Sequence, residues 1–393
     1  MVSKKSLVAV KGSGLISHLC SAMFVKSGYD VIHIMKGKPK KNNMFFAISP
    51  SSTKWLKELG FSEEFFSHLQ KITDMQLIAE SFGSTLTLKS EDYFAESLAY
   101  MVKQDHFTDA IEKMNVKKID VKDDNNTSFE INDEFVNIKT GQKITKASLL
   151  VACDGNDCLV NEDSFDVTTK NYSESAFTCE FYSRVGNFSQ ATQIFYDNNI
   201  FALLPLENNL VQVVLFCNKE LKSFLKSTTD DQLKKYLKDK MKNLFSIDSE
   251  VKNRSEFQLK DKSLKSILYK RLITIGDAAH IIHPMAGQGF NLGLRDIRNL
   301  EDLIRKKTNF DIGSRFFLRK YERDRKKDVT QLSNLTALIS NFTFIDNKFN
   351  QKLKKSRLLS KSLSFAVNSK LLKQYLIKPV SYTHLTLPTK VRV

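Results

Sequence analysis

The sequence predicts an α/β chain in which a parallel βαβ core is interrupted by a mostly antiparallel sheet and then followed by helices. Three observations predict it. Residues 7–34 read as strand, glycine-bearing loop, helix and strand. Residues 177–216 are strand-rich, in the runs FTCEFYSRV, TQIFYD, NIFALLPL and LVQVVLF. Residues 272–306 then return to a strand, a glycine-rich loop and a long amphipathic helix.

The elements follow in order. Leu7–Val10 and Val31–Ile34 are short apolar runs flanking a helical run, Leu15–Val25. Trp55–Phe66 alternates apolar and charged residues at helical spacing, with Trp55 as a core residue. Leu77–Leu88 reads as two strands about a Gly83-Ser84 turn, and Met101–Met114 reads as helix. Phe129–Ala152 contains a hairpin turning at Thr140-Gly141. In the strand-rich part, Tyr182 and Phe201 are expected as strand core rather than pocket lining. Gln232–Phe245 is a basic helix, Leu272–Gly276 a strand, and Gly289–Lys306 a helix with Phe290, Leu294, Ile297, Leu300 and Ile304 on its apolar face. The remainder is mostly helical.

Composition narrows the classes. A chain of 393 residues with 41% hydrophobic and 26% charged residues can bury a substantial core. Its five cysteines are odd in number and contain no C-x-x-C pair, which argues against a disulfide framework or zinc site and suits a reducing compartment. No apolar run approaches the ~18 residues of a membrane span. The run after Lys4 and Lys5 ends at Lys11, too short for a signal peptide. The formal net charge is +16, and residues 347–393 hold eleven Lys or Arg and no Asp or Glu. Their helical interleaving with Leu, Phe and Tyr fits either an amphipathic helix on an anionic membrane or a solvated face packed on the fold. No nucleic-acid module accompanies the charge. Residues 381–393, SYTHLTLPTKVRV, break the pattern and are expected to be disordered or non-native.

Two loops carry chemistry. The first, GSGLIS at 12–17, is placed as a dinucleotide loop whose pattern is G-x-G-x-x-G with an acid closing the second strand. Gly12 and Gly14 are present, Ser17 stands for the third glycine, and Met35 stands at the acidic position. The second and stronger is LITIGDAAHIIHPMAGQGFNLGLRD at 272–296. Gly276-Asp277 ends a strand, Pro284 fixes the chain, and Gly287, Gln288 and Gly289 open a helix. Helix N-termini offer unpaired N–H groups to anions and electron-rich carbonyls. Asp277 suits ribose or ribityl hydroxyls. His280 and His283, lacking a suitably placed cysteine or carboxylate, make a poor metal site, and no metal is expected. His18 and His33 are expected as packing or surface residues.

The segment from Gly276 to Asp296 resembles the second FAD-binding motif of class A flavin monooxygenases, in particular the ubiquinone-biosynthesis hydroxylase family. ISPSSTKWLKELGF (48–61), LAYMVKQDHFTDAI (98–111), LLVACDGNDCLV (149–160), IFALLPL (200–206) and YERDRKKD (321–328) extend the resemblance over roughly residues 7–380. It implies a para-hydroxybenzoate-hydroxylase-like fold. A discontinuous FAD-binding Rossmann-like domain would take 1–75, 98–165 and 268–330, and a sheet substrate domain 76–97 and 166–267. A basic helical region would follow at 331–380.

The resemblance further implies FAD as the tightly held cofactor, NAD(P)H as transient reductant and oxygen as co-substrate for hydroxylating an electron-rich ring. No protein nucleophile is needed. By resemblance, Gly12, Gly14 and Ser17 form the first FAD loop. Gln104, Asp154, Gly155 and Gly276 contact the cofactor, and Asp277 holds the ribityl chain. Gly287, Gln288, Gly289 and Asn291 face the pyrophosphate and the ring, and Pro284 with Gly287 flanks the oxygen site. A polyprenylated phenol in ubiquinone biosynthesis is the implied substrate, with the chain cytoplasmic, peripheral at the inner face of a membrane and in contact with a pathway complex. The departures cluster at the adenosine end: Ser17, Met35 for a ribose-binding Glu, Met44 for an Arg, Cys158 for a Ser and Asn161 for an Arg. One lost charged hydrogen bond costs ~1.5–3 kcal/mol, or about 10- to 150-fold in affinity. A flavin-free or weakly flavin-binding scaffold of the same pathway is the alternative.

Overall fold

The protein is described from a computed structural model covering residues 6–37, 44–80, 83–114, 119–155, 165–197, 199–282, 289–306 and 310–343. Among the expected site residues, Pro284, Gly287 and Gln288 lie outside this set, as do His283, Cys158, Asn161 and the basic segment 347–393.

Leu7–Lys11 and Asp30–Met35 pair in parallel and are joined by helix α1 (Leu15–Lys26). They are central in a six-stranded sheet of order Leu268–Tyr269, Leu272–Thr274, Leu149–Ala152, Leu7–Lys11, Asp30–Met35, Ile119–Asp123. Every pairing is parallel except the Leu268–Tyr269 edge. Strands of such a sheet are covered on both faces, which is why Val8–Val10, Leu149–Ala152 and Leu272–Thr274 are unbroken buried runs. Helix α1 is apolar on most of its circumference because it lies between this sheet and other helices.

The helix expected over 55–66 is two helices, α2 (Pro50–Leu59) and α3 (Glu63–Ser67). Ser49 caps α2 by accepting from the Ser52 N–H, and Gly60, at φ 115°, ends it in a left-handed conformation that a helix cannot continue through. Met101–Lys103, expected as helix, belongs to the strand Ala99–Lys103; α4 (Gln104–Lys113) begins only at Gln104. The apolar run around Met101 is buried between strands Phe45–Ile48 and Gln70–Ile72, and that pairing overrides the helical spacing.

The second large sheet has eight strands, in the order His280–Ile281, Lys252–Leu264, Val167–Tyr182, Leu210–Cys217, Asn199–Pro205, Gln190–Tyr196, Asp74–Ala79, Ser84–Lys89. It is antiparallel apart from the Gln190–Tyr196/Asp74–Ala79 pair. Helices α5 (Lys219–Ser227) and α6 (Asp230–Met241) cover one face, burying Leu225, Leu233, Leu237 and Met241 against the strands. α6 stops short of Phe245 because Lys242 turns left-handed. Phe201 is fully buried as expected, whereas Tyr182, at the end of its strand, is 51% exposed.

Segment 272–282 passes from one large sheet to the other. Leu272–Thr274 belongs to the parallel sheet, and His280–Ile281 pairs with Ser263 and Lys262 in the antiparallel one. Helix α7 (Gly289–Arg305) packs beside α1, and Trp55 Nε1 donates to Glu301 Oε2 of α7 at 2.6 Å. Helix α8 (Arg315–Thr343) runs unbroken through the expected boundary at 330/331.

Candidate functional site

Three loops meet at the carboxyl ends of the parallel strands, the position at which open α/β sheets bind ligands. Contact is close enough to require glycine. Gly12 has φ +145°, and a Cβ on it would stand 2.7 Å from the Cys153 carbonyl oxygen. Gly276 has φ +63°, and Ile16 of α1 wedges between it and Gly293 of α7; a Cβ on Gly293 would lie 2.8 Å from Ile16 Cδ1. Gly155, at φ +64°, sits beside Asp277, its would-be Cβ 3.9 Å from Asp277 Cβ. First loop, middle Asp-Gly loop and second motif thus form one surface.

The first loop is held from below. Gly12 N–H donates to Ile34 O at 2.9 Å. Its carbonyl accepts from Ser17 Oγ at 2.9 Å and from His33 Nε2 at 2.8 Å. Ser17 Oγ also lies 2.7 Å from Gly14 O. Ser17 is fully buried, so the residue in the third-glycine position is a lock for the turn. A carbonyl only accepts, so His33 carries its proton on Nε2. Burial keeps its pKa below the usual imidazole value despite that bond. His18 stacks edge-on against His33 with ring centroids 4.6 Å apart, and burial, with His33 as a lesser cause, pushes its pKa down to about 4. These two histidines are a buried pair under the loop. Above the loop, Gly14 is exposed at the N-cap of α1, with nothing within 4 Å of a would-be Cβ. The helix N-terminus therefore opens on free space, as anion binding needs.

Beside it, Lys11 is buried and salt-bridged to Asp154 at 2.6 Å and Asp124 at 3.5 Å. Burial alone would lower its pKa; Asp154 and Asp124 outweigh it and raise the ammonium above its ordinary value. Asp154 Oδ1 is buried with no hydrogen-bond partner among the described residues. Asp277 reaches open space, yet surrounding protein desolvates it and raises its carboxyl pKa, with His280, Lys262 and Lys260 pulling the other way.

The second motif is braced by buried charge. Asp296 Oδ2 accepts from Gly276 N–H at 2.8 Å and from His280 Nε2 at 2.9 Å, and Oδ1 accepts from Arg325 Nε at 2.6 Å. Arg325 also donates to Asp328 at 2.7 Å. Burial would raise the Asp296 pKa, but His280 and Arg325 outweigh it and hold the carboxyl below its ordinary value. The 321–328 segment thus reaches back to hold the Gly276-Asp277 turn. Sequence spacing could not show this: only the fold brings Arg325 to Asp296.

Asn291 is in the first turn of α7, but its side chain is engaged by protein. Oδ1 accepts from Ser49 N–H at 3.0 Å and Ser52 Oγ at 3.3 Å, and Nδ2 donates to Ala47 O at 2.6 Å. It positions α2 against α7. Gln104 opens α4, its N–H donating to Met44 O at 2.8 Å. Gly289 opens α7, with nothing among the described residues within 4 Å of a would-be Cβ. Met35 ends its strand half-buried, and Met44 is 52% exposed.

A family described as FAD binding domain matches residues 12–336. The chain belongs to that FAD binding domain family. It is similar to the mitochondrial ubiquinone biosynthesis monooxygenase COQ6 of Caenorhabditis elegans, 26% identical over 356 residues, covering 76% of this chain and 75% of the relative. It is also similar to the ubiquinone hydroxylase UbiM of Neisseria meningitidis, 28% identical over 193 residues that cover 48% of this chain and 42% of that one. Its fold resembles p-nitrophenol 4-monooxygenase PnpA of Pseudomonas putida, with a TM-score of 0.71 at 16% identity, covering 96% of this chain and 98% of that one. It also resembles Klebsiella pneumoniae HpxO complexed with FAD and uric acid, with a TM-score of 0.67 at 14% identity, covering 94% and 97%. The chain is an FAD-dependent oxidoreductase of the monooxygenase class, with FAD as its cofactor.

The residues present fit FAD. The helix N-terminus at Gly14, the buried Asp154 oxygen without a hydrogen-bond partner among the described residues, and the exposed Asp277 carboxylate would offer anion and hydroxyl contacts along one surface. Met35 supplies no such contact at the adenosine end.

Proposed function

We propose that this flavoprotein hydroxylates the aromatic ring of a polyprenylated phenol in ubiquinone biosynthesis, using NAD(P)H and O2. The observation that carries the reading is the meeting of three glycine-bearing loops, Gly12 against Cys153, Gly155 beside Asp277, and Gly276 and Gly293 about Ile16, with the 276–296 segment braced by Asp296. The similarity to named ubiquinone hydroxylases supports the pathway. Bound FAD supplies the redox and oxygen chemistry.

The chain's own residues bind and orient. The α1 N-terminus at Gly14 faces the pyrophosphate, with Gly12 and Ser17 setting the turn. Asp277 accepts from ribityl hydroxyls, and Asp154 and Gly155 line the same cleft. Gln104 approaches the ring from the start of α4. By resemblance Gly287, Gln288, Gly289 and the Asn291 backbone would hold the pyrophosphate and ring edge, and Pro284 and Gly287 would flank the oxygen site, Pro284, Gly287 and Gln288 lying outside the described residues. The antiparallel sheet covers the ring and excludes water. The division into discontinuous FAD-binding and sheet parts, and peripheral contact with a membrane or pathway complex through the basic C-terminal segment, belong to the same proposal.

The test is a spectrum of purified protein with released flavin identified by chromatography, followed by 18O2 turnover with a polyprenylated phenol. Stoichiometric FAD and one labelled oxygen atom in the ring are expected. FAD binding with reduction but no oxygen incorporation would replace hydroxylation with another flavin reaction. No binding at tens of micromolar FAD would overturn the reading.

A further inference from the structure

Away from the glycine loops, three side chains from distant parts of the chain meet at one point. His68 closes α3, His106 lies in the first turn of α4, and Glu207 stands on the turn between strands Asn199–Pro205 and Leu210–Cys217 of the large antiparallel sheet. His106 Nε2 is 2.8 Å from Glu207 Oε1, and His68 Nδ1 is 3.2 Å from Glu207 Oε2. The imidazole rings lie parallel, 8° apart in plane, with centroids 4.0 Å apart. All three ligand atoms fall within 4.8 Å of one another. Asn208 and Asn209, both at positive φ, form the turn that presents Glu207.

We propose that His68, His106 and Glu207 form a binding site for a divalent transition metal of the zinc class. Two imidazoles and one carboxylate match the donor set of open, three-ligand zinc sites. Nitrogen-rich sites of this kind favour zinc, cobalt, nickel or copper over magnesium and calcium. In a tetrahedral site with bonds of ~2.0–2.1 Å, donor atoms stand ~3.3 Å apart. His106 Nε2 stands 2.8 Å from Glu207 Oε1 and His68 Nδ1 stands 3.2 Å from Glu207 Oε2, so each ring already faces one oxygen of the same carboxylate. No pair of ligand atoms is more than 4.8 Å apart, so no edge has to close by more than about 1.5 Å to reach the tetrahedral spacing, and a tilt of the stacked rings with a turn of the carboxylate supplies that movement.

Without a metal, each ring nitrogen that faces Glu207 must carry the imidazole proton, because the carboxylate only accepts. Metal binding moves each proton to the other ring nitrogen and frees both lone pairs. The neutral rings therefore lose no proton on binding. The side chains are 38%, 23% and 31% exposed, so a solvent molecule can take the fourth position. The ligands come from α3, α4 and the antiparallel sheet, so a bound ion would fasten the helix that starts at Gln104 to that sheet. None of the three residues has a role in the proposed flavin site, so the two readings stand or fall separately.

The test is a Co2+ titration of untagged, flavin-loaded full-length protein, read in the visible d–d region beyond the flavin bands, with Zn2+ as competitor. One equivalent of Co2+ with a four-coordinate spectrum, displaced by Zn2+, is expected. H68A, H106A and E207Q should each weaken binding by at least about tenfold while circular dichroism and flavin content stay unchanged. Zn2+ should raise the melting temperature of wild type and not of H106A. Absence of a saturable one-equivalent spectrum, or one that persists in H106A, would overturn the site.

Discussion

Asp296→Asn removes a charge without changing the side chain's shape. Asp296 is 1% exposed, and its two oxygens accept from Gly276 N–H, His280 Nε2 and Arg325 Nε at 2.8, 2.9 and 2.6 Å. An asparagine has one acceptor oxygen. If that oxygen faces Gly276 and His280, its NH2 meets the Arg325 donor; if flipped, the NH2 meets the other two. Either way Arg325, 3% exposed, loses one of its two carboxylate partners and keeps Asp328 as the ionised one among the described residues. Breaking a buried, hydrogen-bonded ion pair on one side costs about 3–5 kcal/mol. Total stability is typically about 5–15 kcal/mol, so the loss is a large fraction. The turn at Gly276, held at φ +63° by this carboxylate, also loosens beside Asp277. Urea unfolding should show the ~3–5 kcal/mol loss, and flavin fluorescence titration should show FAD binding weakened about tenfold or more. Adding Arg325→Met should recover about half the stability, because removing both charges is less harmful than stranding one. A D296N protein within about 1 kcal/mol of wild type, with unchanged FAD affinity, would refute the bracing role.

Two further outcomes follow from the first loop. Burial pushes the His18 pKa down to about 4 in the folded protein, against 6.5 for an ordinary imidazole, so between those pH values the unfolded chain holds a proton that the folded one does not. That contribution to stability is fully present above pH 6.5 and is lost as pH falls toward about 4, by roughly 3 kcal/mol at most; H18Q should flatten this part of a urea-unfolding pH profile, and an unchanged slope would count against the buried pair. Ser17→Gly restores the third glycine of the usual pattern, yet it removes the hydroxyl bonded to Gly12 O and Gly14 O and puts glycine into a helix. It should destabilise by about 1–2 kcal/mol without tightening FAD; a tenfold tighter complex at unchanged stability would show that Ser17 is a defect.

The βαβ core, the strand-rich middle and the 272–306 return were legible because parallel strands buried on both faces leave continuous apolar runs, and because Gly-Asp-rich turns have few other uses. Helix ends were less legible. Gly60 and Lys242 stop helices whose apolar spacing runs on, and Met101 is drawn into a strand by partners at Phe45–Ile48 and Gln70–Ile72. Ser17 looked like a departure in sequence and is a lock in three dimensions. The side chain of Asn291, expected as a cofactor contact, joins α2 to α7, which no local pattern shows. By itself the sequence determined which segments are strands and helices, and which loops carry the chemistry, since those depend on local periodicity and on glycine, proline and acid placement. Tertiary structure alone decided that Ile16 fills the gap between Gly276 and Gly293, that Arg325 reaches Asp296, and that His68, His106 and Glu207 share one point. Contacts between residues so far apart in the chain depend on how sheets and helices pack, and no local pattern encodes that.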